Sequence, residues 1–327
     1  MNVKLDAKIL LVAALSAIPL LLPAQTDPAQ QTEHPPDYPL VKPYIVQLDR
    51  VARADYTNRH QDEEFGRGNA SMLRFMALGS FPIYKQGKTT FAGSVLYTHM
   101  AISNSGMSGL PGFIPDRRMQ INDVNLTTSM FHRGNLWNKP VLHNVNIIMA
   151  STNLVYVRKV FVTAVSSLIF VKGPATRYTL GVYVTSDPSS TTPVIPVISY
   201  WHRLGGGPWE IDAVFPQKII LRKANFLKGW LSIGPELAGS SFFTPESDAL
   251  RGNHENLSAE LCSGIGYERL FGRILAGARA GYRNTIQSRL MKVYNRNTDY
   301  LFETDAKGSA YFNFSISFVI PNAQLSK

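Results

Sequence analysis

The stretch Gly308–Ile320 reads GSAYFNFSISFVI, and its alternation decides the fold. Phe312, Phe314, Ile316, Phe318 and Ile320 take every second position, with Asn313, Ser315 and Ser317 between them. Side chains along a strand point alternately to opposite sides, so one face is aromatic and aliphatic and the other small and polar. Lipid on one side and water on the other suits such a strand, and its place near the chain's end suits the closing strand of a transmembrane β-barrel. An edge strand of a soluble sandwich has the same period, so the rest of the chain must separate the two.

The N-terminus begins MNVKLDAK and runs apolar from Ile9 to Leu22 before breaking at Pro23-Ala24-Gln25. A basic start, an apolar run of this length and a small residue at its end read as a signal peptide over residues 1–25. The run is shorter than the roughly 20 apolar residues of a spanning helix, and Pro19 interrupts it. Residues 26–42, with Pro28, Pro35, Pro36 and Pro39, read as an extended periplasmic linker. Further on, the longest apolar run, around Val165–Val171, is far too short to cross a bilayer as a helix. One cysteine, Cys262, excludes a disulfide framework.

The formal charge is +10, and removing Lys4, Lys8 and Asp6 with the signal leaves +9. The basic residues are scattered, with no Lys/Arg run and no nucleic-acid module, so nucleic acid is not an expected partner. A basic lumen, or loops meeting anionic lipopolysaccharide, accounts for the charge. Expected partners are outer-membrane lipid, lipopolysaccharide and, during insertion, the barrel assembly machinery.

Segments of about ten alternating residues recur between turn clusters, as barrel strands require. Leu73, Phe75, Ala77, Phe81 and Ile83 oppose Arg74 and Ser80, and Val124, Leu126 and Met130 oppose Asp123, Asn125, Thr127 and Ser129. Val145, Ile147 and Met149 alternate with Asn144 and Asn146; Tyr178, Leu180, Val182 and Val184 alternate with Arg177, Thr179 and Gly181. Tyr156–Val171 is apolar on both faces, as if packed against something inside. Near the end, Leu257, Ala259, Leu261, Ile265 and Tyr267 form one face of a strand. After an expected turn at Glu268-Arg269, the return strand carries Ile274, Ala276, Ala278, Ala280 and Tyr282 on one face and Arg273, Gly277, Arg279 and Arg283 on the other. Long connections are expected at residues 57–68, 104–118, 240–253 and 284–307. The reading is an all-β, transmembrane antiparallel barrel over residues 43–321 of about 12 strands, with 10 or 14 allowed, and a tail at 322–327. The ambiguous strands are Tyr44–Tyr56 and the region Trp209–Asn225.

The polar faces isolate one candidate constellation. Glu210, Asp212, Glu236, Glu260, Arg273, Arg279 and Arg283 are expected to point inward and pair across a narrow lumen. Such a network either stiffens a closed barrel or forms an anion-selective constriction. A hydrolase would need a nucleophile beside a positioned base. The seven histidines (34, 60, 99, 132, 143, 202 and 254) are scattered, and neither Gly-x-Ser-x-Gly nor His-Glu-x-x-His occurs. No enzyme activity, cofactor or metal is expected. Asp62-Glu63-Glu64 reads as a solvated acidic loop, and Gly205-Gly206-Gly207-Pro208 as a tight turn.

Several motifs go beyond the general pattern: Tyr183-Val184-Thr185-Ser186-Asp187-Pro188, Pro196-Val197-Ile198-Ser199-Tyr200-Trp201-His202-Arg203, Trp209-Glu210-Ile211-Asp212, Phe215-Pro216-Gln217 and Leu231–Leu237. In these the chain resembles a family of outer-membrane β-barrels of Bacteroidota catalogued as a domain of unknown function. The resemblance implies a Gram-negative source and an outer-membrane address, and brings no substrate or catalytic residue. The functional expectation is a structural barrel or a narrow pore for small anions. The alternatives are a lipid- or glycan-modifying enzyme, or a protein binding through its surface loops.

Overall fold

The computed structural model describes residues 41–61, 63–109, 117–153, 156–190, 192–244 and 252–320. The signal-peptide and tail assignments, and nearly all of the linker, fall outside them. Within them the chain is a closed antiparallel β-barrel of the outer-membrane type. The strands are β1 (Val41–His60), β2 (Glu63–Gln86), β3 (Thr89–Gly109), β4 (Arg118–Leu136), β5 (Lys139–Asn153), β6 (Tyr156–Val171), β7 (Thr176–Thr185) and β8 (Val194–Arg203). They continue as β9 (Trp209–Phe215), β10 (Lys218–Phe226), β11 (Gly229–Thr244), β12 (His254–Phe271), β13 (Ile274–Lys292), β14 (Tyr300–Ala306) and β15 (Ser309–Ile320). Each pairs with its neighbours in the chain, except that β14 and β15 share one place in the wall between β13 and β1. The cylinder therefore has 14 positions. Closure leaves no edge, so every strand finds hydrogen-bond partners within the hydrocarbon.

Side-chain direction follows the alternation. Phe312, Phe314, Ile316 and Phe318 of β15 are exposed on the outer surface, as are Tyr44, Val46 and Leu48 of β1 beside them. Asn144 and Asn146 of β5 are buried inside, while Ile147, next along the strand, is exposed. Both ambiguous regions are wall: Tyr44–Tyr56 lies within β1, and Trp209–Asn225 is the β9–β10 hairpin, turned at residues 216–217. The glycine run at 205–207 forms the β8–β9 turn, with Gly205 and Gly206 at positive φ.

Two expectations are corrected. β12 continues past Glu268-Arg269 to Phe271, and the chain reverses at residues 272–273, with Gly272 at φ +63°. Arg273 is thus an exposed turn residue rather than a lumen residue, because the alternation in the sequence runs on through a turn the wall does not include. The expected long connections are also much shorter: β1 and β2 run on to residues 60 and 63, and β13 to Lys292. The extensions of β1 and β2 are largely polar on both faces, which reads as loop in a sequence, whereas that of β13 carries Ile286, Leu290 and Met291 among polar residues.

Wall height is uneven. β1–β3 have 20, 24 and 21 residues, whereas β7–β10 have 10, 10, 7 and 9. At about 3.3 Å per residue the 7-residue β9 is no taller than the apolar band of a membrane barrel. Above the β9–β10 turn, β11 therefore has no neighbour on that side and pairs only with β12.

The unsupported part of the wall folds inward. Gly234, Gly264 and Gly281 stand in one register row across β11, β12 and β13. A Cβ at Gly234 would overlap the Ile219 carbonyl oxygen, at Gly264 that of Ala280, and at Gly281 that of Ser263. This row of backbone-to-backbone approach is a crease, the device by which sheets turn sharply. Beyond it, β11 passes within 8 Å (Cα to Cα) of β4, seven wall positions away. Residues 254–260 of β12 are buried at every position, hence on both faces.

Candidate functional site: an infolded wall and its ion pairs

The infolded strands divide the loop end of the lumen. One face packs against β1–β4: Phe242 and Cys262 lie on a cluster of Val51, Met72, Met100, Ile121 and Tyr311. On the other face Leu237, Leu257, Ala259 and Met291 form a second cluster, with Leu261, Ile286 and Tyr300 against it. Apolar side chains that would otherwise meet water or lipid thus gain a dry, close-packed environment inside the barrel.

Polar contacts fasten the tip to the far wall. Lys159 of β6, 3% exposed, donates to Glu255 Oε1 at 2.8 Å and Oε2 at 2.9 Å, and to Ser189 Oγ at 2.8 Å. Its ammonium also lies 2.7 Å from Asp187 Oδ1 in the β7–β8 connection. Asp187 accepts from Ser189 N at 2.9 Å and Ser189 Oγ at 2.7 Å, so its charge is spread over several donors. Asn297 donates to the Ser189 carbonyl at 3.2 Å and accepts from Arg289 Nη1 at 2.6 Å; Arg289 in turn donates from Nε to Glu303 at 2.9 Å. Beside these, Arg158 donates to Asn253, and the Val160 N–H donates to the Tyr294 hydroxyl at 3.0 Å. Charges this deep persist only when paired and hydrogen-bonded, which fixes where the tip can sit.

The acid and base residues singled out from sequence are mostly inside and ion-paired, but along the wall rather than across the lumen. Glu210 of β9 accepts from Arg203 of β8 at 3.1 Å. Asp212 accepts from Lys218 at 2.5 Å and lies 3.4 Å from Arg222, both on β10. Glu260 pairs with Arg283 on the neighbouring strand. Glu236 of β11 accepts from Arg279 of β13 at 2.6 Å, reaching over β12, where Gly264 and Gly266 leave the space. Arg279 also donates to the Gly234 carbonyl at 2.7 Å and so grips the crease. Neighbouring strands are about 4.8 Å apart, within reach of one side chain, whereas the lumen of a 14-position barrel is far wider.

Sequence reading missed Lys159, Asp187 and Glu255, which make the contact across the lumen. Lys159 sits in the stretch Tyr156–Val171 that is apolar on both faces, and inside that stretch Val165 packs on Tyr183, Ile195 and Val197. A lone lysine amid apolar residues was the available signal. Also missed is the seam clamp: Asp49 of β1 accepts from Arg74 Nε and Nη2 of β2, each at 2.8 Å, and from Asn313 of β15.

Apart from His132 and His143, the described histidines do not converge. His99 bonds Asn122 on the outer surface, His132 stacks on His143, and His202 bonds Thr176. Among the described residues no group of three His, Cys, Asp or Glu could hold a metal ion. Asp62 lies outside the described residues, and Glu63 and Glu64 are exposed.

No family model and no curated protein matches the chain. Among solved structures the chain is similar to an outer-membrane channel from Pseudomonas putida F1, with 12% identity over 89% of this chain and 100% of that one, at a TM-score of 0.35. It is also similar to the β domain of the Bordetella autotransporter BrkA, with 8% identity over 85% and 99% of the two chains and a TM-score of 0.27. The outer-membrane protease OmpT of Escherichia coli follows, with 8% identity over 85% and 96% and a TM-score of 0.20. No role passes from these structures to this chain, whose barrel is given by its own hydrogen-bond ladders.

Proposed function

We propose that the protein is a gated outer-membrane conduit, closed at rest by the infolded β11–β13 wall. The observation that carries this reading is the burial of residues 254–260 on both faces together with the tie of Glu255 to Lys159 across the lumen. The turn end, where β1 begins, faces the periplasm, and the polar strand extensions face the medium. Lipid contacts the outer apolar band, and the assembly machinery inserts the chain. The Gram-negative source and the likeness to the Bacteroidota barrel family rest on the motifs between Gly181 and Leu237.

Single-channel recording in planar bilayers tests the gate. Wild-type protein stays at background conductance, and Lys159→Met, which removes the cation holding the tip, gives discrete openings. Open wild-type channels overturn closure at rest. A silent variant that has kept its folded, heat-modifiable migration would leave a structural barrel, the second reading, which the ion-paired lumen also favours.

A further inference from the structure

We propose that the turn end of the barrel is a docking surface for anionic phospholipid headgroups, built from an apolar side chain and a cation at each of several turns. It goes beyond the gated conduit and holds whether or not the lumen opens.

The connections at that end are β2–β3, β4–β5, β6–β7, β8–β9, β10–β11 and β12–β13. All but one carry, at the tip or beside it, an exposed apolar residue with an exposed cation next to it or one residue further on. The pairs are Tyr84 with Lys85, Trp137 with Lys139, Val171 with Lys172, Leu227 with Lys228, and Phe271 with Arg273. At the remaining turn Leu204 is exposed, but Arg203 is half-buried against Glu210. An apolar side chain among the first acyl carbons with a cation at the level of the phosphates is how residues anchor at a membrane boundary.

Two of these turns keep a large apolar residue where the backbone disfavours it. Trp137 and Asn138 close the β4–β5 hairpin at φ +49° and +57°, and Leu227 and Lys228 close β10–β11 at +49° and +63°. Glycine and asparagine occupy such positions at low cost, whereas larger side chains meet the following carbonyl. Packing within the chain does not repay this, because Trp137 is 79% exposed and Leu227 70%. A contact outside the chain does.

The charge at this end has one sign. Among the described residues no exposed carboxylate stands there: Glu210 is buried and Glu268 half-buried, paired with Arg203 and with Lys42 respectively. The loop end instead exposes Glu63, Glu64, Asp299 and Asp305 among its cations. An acidic protein would meet one sector of the rim and leave the apolar tips in water. A lipid leaflet meets every turn at once, takes up the tips, and places its phosphates beside the cations.

The test is quenching of Trp137 fluorescence in the full chain folded into phosphatidylcholine vesicles. These hold a minor fraction of phosphatidylglycerol or of phosphatidylcholine brominated near the headgroup. The difference between wild type and Trp137→Phe isolates the signal of this tryptophan from those of Trp201, Trp209 and Trp230. We expect both lipids to quench it, with phosphatidylglycerol preferred roughly threefold to tenfold and the preference lost at about 1 M salt. Lys139→Gln lowers that preference roughly threefold, while Lys228→Gln, six wall positions away, leaves it unchanged. Equal quenching by the two lipids overturns the anion preference. No quenching of Trp137 by either lipid sets the tips clear of the bilayer and overturns the docking surface. An equal loss in Lys139→Gln and Lys228→Gln makes the effect one of total charge and overturns the pairing of each tip with its own cation. Failure of the gate registers separately, in the bilayer recordings of Lys159→Met.

Discussion

Asp49 on the first strand accepts a hydrogen bond from Asn313 on the last, 264 residues away, while two nitrogens of Arg74 hold its other oxygen. One carboxylate thus ties β15, β1 and β2 together at the seam where the chain closes on itself. Asp49→Ala strands the Arg74 guanidinium inside the wall. We expect a loss of about 3–5 kcal/mol, read by denaturant unfolding of the detergent-folded barrel. Asn313→Ala removes one hydrogen bond and costs about 1 kcal/mol in the same assay.

Lys159 sits between two carboxylates, so removing it alone is worse than removing a pair. Lys159→Met lowers stability by about 3–5 kcal/mol, because Glu255 and Asp187 are left facing each other without a cation. Lys159→Met/Glu255→Met restores most of that loss, since an apolar contact replaces the ion pair and Ser189 still serves Asp187. Equal melting temperatures for the single and double variants would show that the ion pair does not hold the tip.

The crease depends on the absence of side chains in one register row. Gly264→Val places two methyl groups where the Ala280 carbonyl oxygen lies. We expect the hairpin to be driven off its inward path, exposing residues 254–260 and making the loop after β11 a site of rapid proteolysis. Protection equal to wild type in limited proteolysis would refute the crease.

Phe314 lies on the outer face of β15, between Phe312 and Ile316. Phe314→Lys places a charge in the apolar band and costs about 2–4 kcal/mol if that position is near the bilayer midplane. Folding yield into lipid vesicles across a urea series measures it.

How much was legible varies with the distance over which a feature is specified. The period of two in Phe312–Ile320, and in the segments around Leu73, Val124 and Val145, marks strands with one oily and one polar face, and the structure keeps those faces. Strand ends were less legible: residues 57–60 and 63–68 are wall, because beyond the lipid a strand needs no apolar face. The carboxylates Glu210, Asp212, Glu236 and Glu260 stand out in the sequence by their polar-face positions, yet their partners follow from register, which no single segment encodes.

By itself the sequence determined that the chain is a membrane barrel and which side of most strands meets lipid, because alternation is a local property of each segment. Only the tertiary structure decided that the β11–β13 wall folds inward. Gly234, Gly264 and Gly281 become a crease solely when three strands align them. Lys159 meets Glu255 solely because the low wall of β7–β10 leaves β11 without a neighbour, so that burial of the free sheet inside the barrel is its most favourable course.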